Sequence, residues 1–192
     1  MSTHQNFHHH NHEQREKILP PAKILSRFGL KDGQYLADLG CGQGYFTLKA
    51  AEIIGVQGKI KAVDINTERL QFLRQSAQEC GLAERIETYL AQGESIPLPD
   101  KDVDIALISN VLHELQDPLN YLRNTQRILR NNGEIWVIEW QKKETPMGPQ
   151  LSERRSQEEW VTILEQAGFE DIWVQIFNPA HILFRGKASE SI

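Results

Sequence analysis

"LADLGCGQGYFT", residues 36–47, decides how the rest of the chain is read. An apolar run of strand length carries one acidic residue, Asp38, and then breaks into glycines at positions 40, 42 and 44. The residues that follow, "FTLKAAEII" from Phe46 to Ile54, space their apolar side chains as a helix does and stop at Gly55. The stretch therefore predicts a strand, a tight glycine turn and a helix. "KIKAVDI", Lys59 to Ile65, predicts a second strand that also reaches a carboxylate at its end, Asp64.

The same alternation extends in both directions. Pro20 and Pro21 open a short helix through Ile24, Leu25 and Phe28, which Gly29 ends. Asn66 or Thr67 caps a helix with Leu70, Leu73, Ala77 and Cys80 on one face, which makes Cys80 a core residue, and Gly81 ends it. Strands are expected at Ile86 to Ala91 and Val103 to Ser109. Asp117 and Pro118 fit the cap and first position of a helix carrying Leu119, Leu122, Ile128 and Leu129, and Gly133 precedes the strand "EIWVIEW". After the loop "ETPMGPQ", Ser156 and Glu159 form a capping box for a helix to Ala167, and strands near Ile172 to Phe177 and Ala180 to Arg185 follow. Strands separated by helices imply a largely parallel sheet with helices on both faces, and ligands in such sheets bind at the carboxyl ends of the strands.

Composition narrows the function. With 192 residues, 40% of them hydrophobic, the chain holds one core, and a formal net charge of −5 leaves no footprint for nucleic acid or an anionic membrane. No apolar run approaches a bilayer span and the His-rich N-terminus has no apolar core of a signal peptide, so a soluble, cytoplasmic protein is expected. The two cysteines, Cys41 and Cys80, form no metal or redox spacing.

The ligand of the glycine turn is constrained by charge. A dinucleotide fingerprint needs glycine at its first, third and sixth positions, and counting from Gly40 or Gly42 the sixth residue is Tyr45 or Thr47. Asp38 would also repel a pyrophosphate in a partly desolvated crevice. It suits a cation such as S-adenosylmethionine, which carries an ammonium and a sulfonium and no phosphate. Asp64 is placed to accept ribose hydroxyls, which a nicotinamide dinucleotide would need as well.

Together "LADLGCGQGYFT", "AVDI", "PLPDKDVDIALISNVLHEL" and "RILRNNGEIWVIEW" resemble the class I S-adenosylmethionine-dependent methyltransferases, in the small-molecule branch of the ubiquinone and menaquinone biosynthesis enzymes. The resemblance covers residues 20–187. It implies an α/β, Rossmann-like, seven-stranded and mostly parallel sheet with helices on both faces and an antiparallel last strand. It implies that Asp38, Gly40, Cys41 and Gly42 hold the methionine end of the cofactor, that Asp64 and Ile65 hold its ribose and adenine, and that Asn110 lines the floor. Gln92 and Gly93, in "AQGESIP", stand where the family commonly has Gly-Asp-Ala-Glu, with Gln92 in place of the adenine-reading Asp. The implied reaction is in-line transfer of a methyl group to a small-molecule acceptor by a monomer or homodimer.

His113, after the fourth strand, and Glu139, at the end of the fifth, are the catalytic candidates. Cys41 reads as a small side chain in a crowded turn, not a nucleophile. Residues 1–19 form a His-rich segment that could close over the acceptor as a lid, with Arg15 available to an anionic group, and 188–192 form a tail. His8, His9, His10, His12 and His181 are the candidate metal ligands. Two alternatives stay open here: a non-catalytic module that binds S-adenosylmethionine or metal, and a nicotinamide-dependent oxidoreductase.

Overall fold

The computed structural model describes residues 15–189, so His8, His9, His10 and His12 lie outside the described residues. Strands β1 (Tyr35–Leu39), β2 (Lys59–Asp64), β3 (Ile86–Leu90), β4 (Val103–Ser109), β5 (Leu129–Trp140), β6 (Phe169–Ile176) and β7 (His181–Ala188) form one sheet in the order β3-β2-β1-β4-β5-β7-β6. Strands β1 to β5 pair in parallel, and β7 runs antiparallel to both β5 and β6. The single reversed strand is thus the last in sequence but sits inside the sheet, and only β6 stands beyond it.

Helices α1 (Pro21–Phe28), α2 (Thr47–Ile53), α3 (Thr67–Glu79), α4 (Pro118–Ile128) and α5 (Gln157–Gln166) supply the covering layers. Their ends follow local chemistry. Asn66 Oδ1 accepts the Arg69 N–H at 3.0 Å to open α3, Asp117 accepts from Asn120 at 3.0 Å to open α4 with Pro118 at its first position, and Ser156 and Glu159 form the reciprocal capping box of α5. Strand β1 is buried on both faces, as a central parallel strand must be. Leu36, Ile105, Leu107, Trp136 and Leu183 pack against α1 and α2, where Phe28 stacks on Trp136 with ring centroids 5.0 Å apart. Ala37, Ala106, Ile108, Val137 and Phe184 face the other way, against Leu122 of α4 and Trp160 of α5.

Several expectations are corrected. Cys80 is exposed, not core, because α3 ends at Glu79 and the chain turns at Cys80 and Gly81 before the apolar face comes round again. Strand β5 starts at Leu129, not Glu134: the ladder to β4 steps from Val103↔Leu129 to Ile105↔Glu134, so the extra residues around Asn132 and Gly133 bulge within the strand instead of preceding it. Strand β6 starts at Phe169 with a similar irregularity at Asp171, and β7 extends to Ala188. No described helix is long and apolar enough to cross a membrane.

Candidate functional site

The carboxyl ends of β1, β2, β4 and β5 converge on one edge of the sheet. The glycine turn after β1 is tied to β2: Gly40 and Cys41 donate to the Val63 carbonyl at 2.8 and 3.0 Å, and Gly42 donates to Asp64 Oδ2 at 2.8 Å. The other Asp64 oxygen accepts from Asn66 at 2.9 Å. Asp64 therefore orders the glycine turn and the start of α3 with one lone pair of each oxygen, leaving the second of each for a ligand. Gly42 has φ +56° and open space where a Cβ would point, whereas a side chain at Gly40 would overlap Val111. Gly42 is thus the position where backbone lies bare to the crevice.

Asp38, at 2% exposure, accepts a 2.5 Å hydrogen bond from the Thr47 hydroxyl at the start of α2. Burial pushes its pKa up to about 6, against the Thr47 hydrogen bond and the Arg15 charge, which pull it down. A carboxylate so short of compensation at a strand end is ready for a cation. The Cys41 side chain turns away, packing on Ala62, Leu70 and Leu73, and burial followed by the Asp38 and Asp64 charges raises its pKa far above the ordinary thiol value. Only its backbone belongs to the turn's ligand-facing path. Ile65, 67% exposed beyond Asp64, and the exposed Gln92 and Gly93 after β3 stand along the same edge, Gly93 with φ +57°. Asn110, just past β4, is in the left-handed region at φ +56°, its Oδ1 buried without a partner among the described residues. A bare glycine, an undercompensated carboxylate, an exposed apolar side chain and an orphaned amide oxygen along one sheet edge fit a ligand that is cationic at one end and aromatic at the other.

His113 lies in a short helical turn, Leu112–Glu114, beyond β4. Its Nδ1 is 2.9 Å from Glu139 Oε2 and 3.2 Å from Oε1, and its backbone N–H donates to Oε1 at 3.3 Å. The Trp140 N–H also donates to Glu139, at 3.0 Å, so the carboxylate at 1% exposure is held in place from both neighbouring segments. A carboxylate facing Nδ1 selects the tautomer with the proton on Nδ1, which leaves Nε2, 3.8 Å from Glu114 Oε1, as the unprotonated nitrogen. His113, with Asn110, Glu114, Trp140, Pro149 and Glu153, lines a cleft of about 390 Å³. Burial lowers the His113 pKa, but the Glu139 hydrogen bond and charge, helped by Glu114 and Glu153, outweigh it and raise it above the ordinary imidazole value.

A family profile for a methyltransferase domain matches residues 30–177. The chain belongs to the class I S-adenosylmethionine-dependent methyltransferases. It is 32% identical over 123 residues to the ubiquinone/menaquinone biosynthesis C-methyltransferase of Hahella chejuensis, which covers 64% of this chain and 49% of that protein. The chain thus spans about half the length of the curated relatives it matches. A SAM-dependent methyltransferase from Aquifex aeolicus superposes with a TM-score of 0.84 at 29% identity, covering 91% of this chain and 92% of that one. The phosphoethanolamine N-methyltransferase 2 of Haemonchus contortus, solved with S-adenosyl-L-methionine, shares the fold at a TM-score of 0.75 and 16% identity over 89% of this chain and 52% of that one.

Family membership makes S-adenosylmethionine the cofactor of this class I methyltransferase and removes the nicotinamide alternative. The remaining sequence candidate, His181 at the start of β7, is 1% exposed and lies against Trp140 with ring centroids 4.2 Å apart and the planes tilted by 41°. Its neighbours are cationic, not acidic: burial first, then the charges of Arg15 and Arg154, lower its pKa to about 4. Among the described residues no three His, Cys, Asp or Glu side chains gather to hold a metal, and two guanidinium groups beside His181 oppose one.

Two site residues escaped the sequence reading. Thr47, the partner of Asp38, had a signal in its place nine residues on at the start of the predicted helix. Arg154 had none. At 5% exposure it donates to the carbonyls of Gln141, Lys143, Met147 and Pro149 and lies over the Trp140 ring, so it gathers the whole 141–150 loop beside the cleft.

Proposed function

We propose that this methyltransferase moves the methyl group of S-adenosylmethionine to a small-molecule acceptor bound in the cleft beside Asn110 and Trp140, with His113 as general base. The single observation that carries this is the His113–Glu139 pair, a buried carboxylate on Nδ1 of an imidazole that lines a cleft at the carboxyl edge of the sheet. When bound, S-adenosylmethionine supplies an electrophilic methyl group and a neutral thioether leaving group, so the reaction class is in-line displacement. Asp38 takes the cationic end, Gly42 gives room for close approach, and Asp64 with Ile65, Gln92 and Gly93 addresses the adenosine. His113 Nε2 removes the proton that the acceptor must lose, and Glu139 stabilises the imidazolium that results. Burial of Glu139 keeps bulk water from competing for that proton.

A small-molecule acceptor is supported by a cleft of small-molecule size and by curated relatives named as ubiquinone/menaquinone biosynthesis C-methyltransferases. Residues 15–19, resting on the carboxyl edge, support the reading of the N-terminal segment as a lid. Incubation with methyl-labelled S-adenosylmethionine and fractionated pools of small metabolites tests the proposal. Label should enter a small molecule with the unaltered chain and be reduced by at least a hundredfold with His113→Gln. Label entering no pool, or entering equally with both proteins, would defeat it.

A further inference from the structure

Strand alternation divides the carboxyl edge into two faces. Glu139 and its His113 partner lie on the side of α4 and α5. Asp38 is level with Leu107, Ser109 with Ile138, and Trp140 with His181, so Asp38, Ser109, Trp140 and His181 all point to the side of α1 and α2. Among the described residues five buried side-chain polar atoms lack any partner. Four of them belong to this edge: Ser109 Oγ, Asn110 Oδ1 and both ring nitrogens of His181. An imidazole buried with neither nitrogen bonded is an unfavourable arrangement unless something else completes it.

His181 is linked to a strap of chain through Asn178, whose Oδ1 accepts the His181 backbone N–H at 2.8 Å. Residues 15–18 are helical, the Ile18 carbonyl accepts from Asn178 Nδ2 at 2.7 Å, and the Leu19 carbonyl accepts from the Tyr45 hydroxyl at 2.9 Å. The strap therefore spans from the β6–β7 turn to the glycine turn. It brings Arg15 over the Tyr45 ring, 4.2 Å from guanidinium carbon to ring centroid. Arg15 is exposed, and neither it nor Arg154 has a carboxylate partner among the described residues. Arg154 has its N–H groups on carbonyls, so its charge is felt while its donors are occupied.

We propose that Arg15 and His181 form a subsite for a carboxylate of the methyl acceptor, on the opposite face of the sheet edge from the His113–Glu139 base. This rests on the methyltransferase reading above. The Arg15 fork supplies charge and donors, the His181 ring supplies one N–H to the same anionic oxygen, and its second nitrogen remains to accept from a neighbouring hydroxyl. The low pKa of His181 keeps the ring neutral, with one donor and one acceptor, at any pH where the enzyme would work. Among the described residues the side-chain hydrogen bonds to the strap come from Asn178 and Tyr45, and Leu19 is anchored in the core, so a ligand can enter by lifting the Arg15 end locally. The subsite and the base would then grip the acceptor at two points and fix which atom meets the cofactor.

The test uses the full chain, titrated with benzoate as the carboxylate probe, with and without saturating S-adenosylhomocysteine, while the histidine ring nitrogens are followed by NMR. Benzoate should move the His181 signals, benzamide should bind at least tenfold more weakly, and Arg15→Gln and His181→Phe should each weaken benzoate at least tenfold. Arg15→Gln is on the surface and keeps the test valid if His181→Phe does not fold. S-Adenosylhomocysteine affinity should stay within twofold in Arg15→Gln. If that variant instead loses S-adenosylhomocysteine but not methylthioadenosine, which lacks the amino-acid end, Arg15 serves the cofactor's carboxylate and the proposal is overturned. Benzoate that leaves His181 unmoved overturns it as well, while normal S-adenosylhomocysteine binding in the same sample would leave the methyltransferase reading standing.

Discussion

Burial holds Asp38 protonated up to about pH 6, whereas in an unfolded chain it would ionise near its ordinary value of 3.8. Between those limits the folded chain retains a proton the unfolded chain has lost. The contribution of this group to stability is therefore fully present below 3.8 and is lost as pH rises through about 6. Asp38→Asn removes the buried charge and keeps an acceptor for Thr47. We expect it to stabilise the ligand-free protein at pH 7.5 by about 1 to 3 kcal/mol in a urea melt, and to weaken S-adenosylmethionine binding by about tenfold or more. For the same reason binding to the unaltered chain should fall as pH drops through about 6. A variant that is less stable and binds normally would mean that Asp38 only organises the turn. His113 titrates in the opposite sense for function. Its raised pKa means the pair is most stabilising when the ring is charged, below the ordinary 6.5, and that this stabilisation fades as pH climbs through the folded value. A base must be neutral, so methyl transfer should increase over that same climb, with a midpoint on the alkaline side of 6.5. Glu139→Gln should move the midpoint to lower pH and slow turnover by about a hundredfold or more; an unmoved midpoint would show that another group carries the limb.

At the scale of elements, the loop between β5 and α5 depends on one side chain. Arg154 satisfies carbonyls of a segment that has little secondary structure of its own, and Gly148, at φ +103°, lies so close to Trp140 that a Cβ would come within 2.7 Å of the ring. Arg154→Gln takes the donors from several part-buried carbonyls and should cost about 1 to 3 kcal/mol. Limited proteolysis should cut the variant within 141–153 first, with turnover lost before cofactor affinity. Cleavage elsewhere, with this loop intact, would contradict that role. Neither Arg154 nor its carbonyls were legible in the sequence, because "ETPMGPQ" announces a loop without saying what holds it. Local chemistry was legible wherever it was contained within a few residues: Asn66, Asp117 and the Ser156–Glu159 box all cap as their spacing implied. Cys80 failed because helical periodicity continued one residue past the turn that ends the helix. The start of β5 failed because Asn131, Asn132 and Gly133 look like a turn while the neighbouring strand makes them a bulge.

Across the whole molecule, the sheet order is what turns separate motifs into a site. The glycine turn and both strand-end carboxylates could be read from one chain segment and the strand that ends at Asp64, twenty residues past Gly44. His113 and Glu139 could each be placed on the carboxyl edge, but their contact depends on β4 lying beside β5 in one register, which no local pattern encodes. His181 was read as a metal candidate, whereas β7, inserted between β5 and β6, sets it against Trp140 and between two arginines. The central claim is that the bare backbone at Gly42 admits S-adenosylmethionine. Gly42→Val puts a branched side chain into that opening, in a left-handed conformation that suits glycine. The direct measurement is calorimetric titration of S-adenosylhomocysteine and of NAD into the unaltered chain and into Gly42→Val, with each protein's folding checked by circular dichroism. The unaltered chain should bind S-adenosylhomocysteine and not NAD, and the folded variant should bind S-adenosylhomocysteine at least tenfold more weakly; equal affinity in both proteins would place the cofactor elsewhere.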